Sequence, residues 1–359
     1  MKTGPLISIL TLVHNQRPFV EQTIRSVMSQ TYQNWEWIIL DDGSADGTGG
    51  VITNIRDERI KYLFQENIGF RHIAENYNKT FWLSRGELVS TLDGDDYWPT
   101  YKLEVQAGEF DDPSVVLSYG ECCIVNQRGE KIGYMPLPED PHVARNDPIG
   151  SSLKALMHLE DIGRYFLIHD CTVMVRRKTL LDIGGFVEPG DGQQDVPTWA
   201  RLALEGRFGP VPLCLGYWRR HPMASTFDHN AVRLFDDTID FFRMFFKKNE
   251  ARLKMLAFPY KLPEAEERWS RVRQTFLRYH PYNRAMTMLR VRSFEQARMV
   301  FRDFLRYESS TKNRLIYALI VLSLWTQRDF VHPLIETWDL LGRLLARKKS
   351  KPQGRFSPG

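Results

Sequence analysis

Three carboxylates stand within one short stretch of the chain, STLDGDDYW, which runs from Ser90 to Trp98. Asp93 and Asp95 are separated by a single glycine, so both can face the same side of an extended or turning segment. Such a pair suits a hard divalent cation, Mn²⁺ or Mg²⁺, which takes oxygen ligands and keeps water and substrate phosphates in its shell. The alternative is a solvated acidic turn, and the residues at other strand ends decide between the two.

Strands and helices alternate along the first part of the chain. Apolar runs typical of buried parallel strands begin near Leu6, Trp35, Ile60 and Glu87, and segments with helical spacing follow them. This alternation predicts an α/β fold with a parallel, doubly wound sheet, in which ligands bind beyond the carboxyl ends of the strands. Polar side chains follow three of these ends: His14 and Asn15, then Asp41 and Asp42, then Asp93, Asp95 and Asp96. We therefore expect a site at this edge of the sheet.

The composition sets limits on the class of protein. The chain has 359 residues, 43% hydrophobic and 26% charged, which is typical of a globular protein long enough for more than one domain. A formal net charge of +4 gives no argument for a nucleic-acid partner. Four cysteines without metal-ligand spacing favour a reducing compartment, and the N-terminal apolar run is too short to span a membrane. These features predict a cytoplasmic protein.

The chain changes character after Asn230, where glycine nearly disappears and apolar residues recur at helical periods. We predict an α/β catalytic domain over residues 1–228, a helical domain over 229–345 and a basic flexible tail over 346–359. The amphipathic helix before that tail could lie peripherally on an anionic membrane surface, or it could be a solvated helix end. The helical domain is also a candidate homodimer surface.

Six segments, in chain order, resemble the nucleotide-sugar-dependent family 2 glycosyltransferases: ISILTLVHN, DDGSADGT, ENIGF with AENYN, RGELVSTLDGDDYW, LLDIGGF and WARLALEG. The resemblance implies a GT-A catalytic domain, a single Rossmann-like sheet flanked by helices, and leaves the C-terminal all-α appendage outside the match. It also implies inverting transfer of a sugar from a nucleoside-diphosphate sugar, with UDP favoured, to a hydroxyl acceptor. The acceptor would be a glycan, a lipid-linked molecule or a protein in bacterial-type surface glycan, glycolipid or glycoprotein synthesis.

The resemblance assigns nucleotide contacts to residues that follow the first three predicted strands. Asp41 takes the place of an Asp that accepts a hydrogen bond from the base, with Asp42 beside it. His14 and Asn15 stand where family members often have Tyr-Asn, and an imidazole can also lie against a base. The alternatives are a turn or helix-capping role for Asp41 and an ordinary strand-end position for His14. Two further residues of the matched segments, Thr11 and Asn67, are assigned to the nucleotide sugar with them.

The resemblance makes Asp93 a ribose or sugar contact and Asp95 the principal ligand of Mn²⁺ or Mg²⁺, which neutralises the departing diphosphate. Asp96 is either a support for Asp95 or a cap for a helix that begins near Pro99. The stretch YWRRHP resembles one that lies near the diphosphate. Arg219 and Arg220 would donate to phosphate oxygens there, and His221 would join the metal ligands. The alternative is an edge strand with surface arginines.

A general base must take the proton of the acceptor hydroxyl. Family members place a Glu-Asp pair before the helix that here reads PTWARLALEG, and its Asp is the base. This chain has Gln194 and Asp195 at these positions. Asp195 can therefore be the base, but the neighbouring negative charge that would raise the pKa of Asp195 is missing. The alternative is that Asp195 only caps the helix near Pro197. The acceptor loop, which we expect to be mobile, is assigned to the proline-rich residues 136–148.

Two other classes of function compete with glycosyl transfer. A nucleotidyltransferase would carry a glycine-rich phosphate loop after its first strand, and TLVHNQRPF contains no glycine. A binding or scaffold protein on a degenerate transferase domain is the second competitor, and Gln194 and His14 motivate it.

Overall fold

The computed structural model describes residues 4–137, 168–187, 194–224, 231–255, 263, 266–267, 270–271, 273–274, 284–286, 288–290, 292–306 and 309–335. Three predictions fall wholly or mainly outside these residues: the acceptor loop over 136–148, the amphipathic helix over 334–347 and the basic tail over 346–359.

Eight strands form one mixed sheet in the described part of the chain: β1 (Ile7–Val13), β2 (Trp35–Asp42), β3 (Ile60–Gln65), β4 (Leu88–Thr91), β5 (Val115–Asn126), β6 (Lys131–Met135), β7 (Met174–Arg176) and β8 (Arg207–Arg220). Strands β3, β2, β1 and β4 are parallel neighbours in that order. Strand β7 is antiparallel to both β4 and β5, β6 is antiparallel to β5, and β8 is parallel to β5. The parallel sheet predicted from the alternation is thus present over β3, β2, β1 and β4, and antiparallel pairs join it beyond β4.

The described helices are α1 (Arg17–Met28), α2 (Thr48–Thr53), α3 (Ile73–Trp82), α4 (Lys102–Glu109), α5 (Arg177–Asp182), α6 (Asp195–Glu205), α7 (Ala231–Lys248), α8 (Glu250–Met255), α9 (Phe294–Phe304) and α10 (Thr311–Thr326). Helix α1 shows why these segments are helical, since a proline stands in its first turn and its apolar residues repeat at helical spacing. Its buried Val20, Ile24 and Val27 belong to the same core as Trp35 and Trp37 of β2.

The contacts divide the chain into two compact units, Met1–Gln274 and Thr275–Gly359. The whole sheet and helices α1 to α8 belong to the first unit. In the second unit α9 and α10 bury apolar residues, and Ser310 caps α10 by accepting a hydrogen bond from the Asn313 N–H. The domain boundary predicted between residues 228 and 229 stays a prediction. Within the described part of the chain, no helix is both long and apolar enough to cross a membrane.

Candidate active site at the carboxyl edge of the sheet

Strand β2 ends in two buried carboxylates that hold the surrounding loops. One oxygen of Asp41 accepts the backbone N–H three residues later at 2.8 Å, and the other accepts the Tyr62 hydroxyl at 2.8 Å. Asp42 accepts from Gln65 Nε2 at 2.6 Å and from the Ile68 N–H at 3.1 Å. Asp41 therefore has the turn role considered as an alternative, and its contact with a nucleotide base stays a prediction.

His14 and Asn67 meet at the backbone carbonyl of Asp42. His14 Nδ1 lies 2.7 Å from this carbonyl oxygen, which can only accept, so Nδ1 carries the hydrogen. Nε2 then accepts from Asn15 Nδ2 at 3.0 Å, and Asn67 Nδ2 donates to the same carbonyl at 3.0 Å. The His14 side chain is exposed, so its ring has a face open to a ligand. The ends of β1, β2 and β3 thus bring four predicted nucleotide residues together.

Asn15 fixes the turn that follows β2. Its backbone has a positive φ of 52°, its N–H donates to Ser44 Oγ at 2.9 Å, and its side-chain oxygen accepts the Ala45 N–H at 2.9 Å. Gly43 in this turn has a φ of 75°, and a Cβ added there would lie 2.6 Å from the Asn67 nitrogen. The glycine of DDGS is therefore required both by backbone conformation and by space.

Thr11 lies in the interior of β1 and its side chain is buried. Its hydroxyl oxygen accepts the indole N–H of Trp37 at 2.8 Å. This bond ties β1 to β2 inside the sheet. The assignment of Thr11 to the nucleotide sugar stays a prediction.

The DGDD turn after β4 carries the candidate metal ligands. Gly94 is essential to this turn because an added Cβ would overlap the side chains of Val13 and Gln16. Asp95 Oδ2 lies 2.9 Å from His221 Nε2, so the two predicted ligands are in contact. The other ring nitrogen of His221 is buried without a hydrogen-bond partner.

Asp96 and Arg219 join the DGDD turn to β8. Asp96 accepts the backbone N–H of Arg219 at 2.7 Å, and the N-terminus of α4 has no side-chain cap, so the capping alternative for Asp96 is wrong. The Arg219 guanidinium donates to the carbonyls of Asp95, Asn126 and Gln127 and to a Gln22 side chain. Arg219 is only 2% exposed, so it is not a surface arginine. Its predicted contact with the diphosphate stays untested, and its observed contacts hold the turn.

Arg220 packs against an aromatic ring of the same strand. Its guanidinium lies 4.4 Å from the centre of the Trp218 ring, and Trp218 in turn packs against His169. Its predicted phosphate contact also stays a prediction.

Two residues that the sequence analysis did not single out, Tyr77 and Asp170, complete the site. The Tyr77 hydroxyl donates to Asp93 Oδ1 at 2.6 Å and lies 3.4 Å from Asp170 Oδ2. Asp170 occupies a short 3₁₀ turn immediately before β7. Because β7 is antiparallel to β4, its beginning lies at the carboxyl edge of the parallel strands. Asp170 comes before its strand, so a search for polar residues that follow strands misses it. Knowledge that β7 is antiparallel to β4 would place Asp170 at this edge.

Asp195 is the first residue of α6, and its own side chain does not occupy the capping position. Asp195 Oδ1 accepts the Val196 N–H at 2.8 Å. The preceding residue, Gln194, places its amide nitrogen 3.4 Å from Asp170 Oδ2. The predicted base thus begins a helix whose first turn contacts the same cluster.

The carboxylates of this cluster raise one another's pKa. Burial and the charge of Asp95, with a further effect of Asp195, raise the pKa of Asp93 to about 7. Burial and the charges of Asp93 and Asp195 raise the pKa of Asp170 well above its usual value. Burial also raises the pKa of Asp195, against the opposing effect of the Val196 N–H. A cation or developing positive charge would be strongly favoured here.

The donor atoms present fit a divalent cation that completes its shell from substrate. Asp95 and His221 supply a carboxylate oxygen and an imidazole nitrogen, both of which Mn²⁺ accepts. No group of three or more His, Cys, Asp or Glu residues in the described ranges forms a protein-only metal site. Two protein ligands suit an ion whose remaining ligands are water and phosphate oxygens.

The fold and the site define an α/β domain with a cluster of acidic side chains at the carboxyl edge of its sheet. Residues 8–179 match the family described as Glycosyl transferase family 2. The putative teichuronic acid biosynthesis glycosyltransferase TuaG of Bacillus subtilis is 30% identical over 205 residues, which are 56% of this chain and 73% of TuaG. The chain belongs to glycosyl transferase family 2.

Two further comparisons concern another relative and a solved structure. The Escherichia coli enzyme WfaP, a UDP-Glc:α-D-GlcNAc-diphosphoundecaprenol β-1,3-glucosyltransferase, is 35% identical over 114 residues, 32% of this chain and 45% of WfaP. The chain therefore spans less than half the length of that relative. Residues 1–349 of S. aureus TarS, solved with UDP-GlcNAc, superpose with a TM-score of 0.52 at 16% identity, over 90% of this chain and 92% of that one. This last likeness establishes the fold alone and confirms the predicted fold class.

Proposed function

We propose that this glycosyltransferase moves a sugar from a nucleoside-diphosphate sugar, with UDP favoured, to an acceptor hydroxyl with inversion at the anomeric carbon. The observation that carries the proposal is the position of Asp195. Asp195 begins helix α6 directly after Gln194, whose amide nitrogen lies 3.4 Å from Asp170 Oδ2, and its charge acts on both Asp93 and Asp170. A base on one side of the reacting centre and a cation site beside the diphosphate are what a direct displacement needs.

The nucleotide would lie at the end of the crevice formed by β1, β2 and β3. The open ring of His14 offers a stacking face, and its orientation is fixed by the bond to the Asp42 carbonyl. Asp41 offers acceptor oxygens for a base N–H, in exchange for its present bond to the Tyr62 hydroxyl. We assign Asp93 to the ribose or sugar of the donor, with Tyr77 orienting its carboxylate.

The reacting end of the crevice has separate tasks for its acidic residues. Asp95 and His221 would hold Mn²⁺ or Mg²⁺, whose charge would stabilise the nucleoside diphosphate as it leaves. Asp195 accepts the proton of the acceptor hydroxyl as that oxygen attacks the anomeric carbon. The raised pKa of Asp195 makes its carboxylate a stronger base than an exposed aspartate. The buried negative charges favour the oxocarbenium-like transition state of such a displacement.

The names of the relatives indicate a broad class of acceptor. TuaG is named for teichuronic acid biosynthesis, and WfaP transfers glucose to a diphosphoundecaprenol-linked sugar. We therefore assign this chain to the synthesis of a bacterial surface glycan on a glycan or lipid-linked hydroxyl. The predicted cytoplasmic location, peripheral membrane contact, protein acceptor and homodimer stay predictions.

Calorimetric titration tests the donor site. The protein would be titrated with UDP and with GDP, each with and without Mn²⁺, alongside the Asp95→Ala variant. We expect Mn²⁺-dependent binding of UDP that is lost in the variant. If UDP binds without metal and Asp95→Ala leaves that binding unchanged, the assignment of Asp95 as a metal ligand is wrong. If the folded protein binds neither nucleotide, the scaffold alternative is favoured.

A further inference from the structure

Asp170 lies where two functional halves of the crevice meet. The 3₁₀ turn Asp170–Thr172 precedes β7, and Asp170 Oδ1 accepts the hydroxyl of Thr91, the last residue of β4, at 3.0 Å. Thr91 Oγ1 is also 3.1 Å from the Asp170 carbonyl oxygen. One hydroxyl, shared between the side chain and the carbonyl of Asp170, therefore ties this residue to the strand that carries the DGDD turn.

The second oxygen of Asp170 lies near two polar groups that belong to different parts of the site. Tyr77, whose hydroxyl lies 3.4 Å away, also donates to Asp93 on the donor side. Gln194, whose Nε2 lies 3.4 Å away, immediately precedes the base Asp195. The Asp170 carboxylate thus connects the residue assigned to the donor sugar with the residue that begins α6.

The pairing gives a physical reason for the glutamine at position 194. An amide has two N–H groups and can donate to Asp170, whereas an ionised glutamate in the same place would present a second acceptor and a like charge. Gln194 and Asp170 are therefore a matched donor and acceptor. The glutamine next to the base is explained by its partner and does not by itself indicate a degenerate site.

We propose that Asp170 is a positioning residue that acts through Gln194 to hold the first turn of α6, and so the carboxylate of Asp195, against the donor side of the crevice. The inference rests on the proposed function, because it takes Asp195 to be the base. Asp170 itself needs no contact with the acceptor. Its effect is on the rate of sugar transfer and not on the binding of nucleotide.

A charge-swap cycle tests the pairing. UDP release from UDP-glucose and from UDP-GlcNAc, with Mn²⁺ present, would be measured for Asp170→Asn, Gln194→Glu and the double variant. We expect Gln194→Glu to lower kcat by at least about tenfold, since two carboxylates then face each other. Adding Asp170→Asn to it should raise kcat about fivefold, because the Asn amide can donate to the new Glu. Independent roles would instead make the double variant slower than Gln194→Glu.

Further variants separate positioning from loss of structure. Gln194→Met, which keeps the size but removes the amide, should lower kcat while KM for the donor and the Kd for UDP stay within about twofold. Asp182→Asn is the control, because Asp182 pairs with Lys178 on the exposed face of α5 and should change nothing. The inference fails if Asp195→Asn abolishes turnover but the double variant shows no rescue. Turnover that survives Asp195→Asn would instead show that Asp195 is not the base. The proposed function on which the inference rests would then fail.

Discussion

The two acidic ends of the crevice use the same residue type in opposite ways. At the β2 end, Asp41 and Asp42 each accept two hydrogen bonds from groups that belong to ordinary turns and neighbouring strands. At the β4 end, Asp93 and Asp170 lie beside the same Tyr77 hydroxyl, which has only one hydrogen to donate, and Asp170 also accepts the Thr91 hydroxyl. Carboxylates at the first end are held by donors from turns and neighbouring strands, whereas those at the second end are buried close enough to raise one another's pKa.

We relate this difference to the two proposed tasks of the site, which are nucleotide recognition at the β2 end and sugar transfer at the β4 end. A carboxylate with fixed donors keeps its orientation and gains little from a nearby cation, which suits a surface that selects a nucleotide. Crowded carboxylates raise each other's pKa and are relieved by positive charge, which a metal ion or an oxocarbenium-like centre supplies. Substitutions at the β4 end should therefore change rates strongly, and substitutions at the β2 end should change affinity modestly.

The largest effect is expected for Asp195→Asn. The amide keeps the shape of the side chain but cannot take the acceptor proton, so sugar transfer should fall by about 10² to 10⁴-fold. The Kd for UDP should stay within about twofold, because the nucleotide end is untouched. Steady-state transfer and UDP titration on the same preparation measure both. Full activity in the variant would show that Asp195 is not the base and that the proposed difference between the β2 and β4 ends is wrong.

Asp95→Asn should have the next largest effect. The amide can still bond to His221 but is a weaker ligand for a divalent cation, so the Mn²⁺-dependent part of UDP affinity should fall at least about tenfold. UDP affinity without metal should not change. Titration with and without Mn²⁺ gives both values, and an equal loss in the two conditions would mean that Asp95 acts on the nucleotide directly.

The sequence predicted the first four strands and most of the nucleotide end because both depend on local patterns. Continuous apolar runs followed by polar residues locate parallel strand ends, and the turn DDGS requires its glycine for a positive φ. His14, Asn15 and Asp42 are brought together as expected from those strand ends, and Asn67, which the family resemblance assigns to the nucleotide sugar, joins them.

The remainder depends on strand direction and burial, which the sequence pattern does not reveal. Strand β7 has only three residues and runs antiparallel to β4, so nothing local placed Asp170 at the carboxyl edge. Tyr77 lies in a helix whose apolar spacing explains it as core without any polar role. The sequence predicts that Arg219 contacts the diphosphate. In the structure its side chain is buried and donates to three carbonyls and to Gln22, which are distant in the sequence.

A buried cation behind the β4 end gives a prediction about stability. Lys102 Nζ donates to Ser90 Oγ and Gln106 Oε1 at 2.7 Å and lies 4.1 Å from the centre of the Trp98 ring. Burial lowers the pKa of Lys102 from its usual 10.5 to about 7. Between these values the unfolded chain holds more protons than the folded chain, so this lysine makes the free energy of unfolding rise with pH.

Urea denaturation at pH 7 and pH 9 measures this contribution. The wild-type protein should gain about 2 kcal/mol from Lys102 over this interval, and Lys102→Met should lack that gain. Lys178→Met, at an exposed position of α5, is the matched control and should keep the wild-type pH dependence. Identical pH dependence in the wild type and Lys102→Met would mean that the lysine stays charged in the folded protein, held by its three oxygen acceptors.

The smallest effect is expected at the β2 end, for His14→Ala. The His14 ring is exposed, and Asn67 still donates to the Asp42 carbonyl when the ring is absent, so its loss should leave the melting temperature nearly unchanged. Loss of a stacking surface should weaken UDP binding about two- to fivefold, with kcat unaltered. Asn15→Ala is the contrasting variant, because it removes the side-chain oxygen that accepts the Ala45 N–H and places alanine at a positive φ, so it should lower stability. If His14→Ala lowered kcat more than affinity, the β2 end would take part in the chemistry, and the division between the two ends would be incorrect.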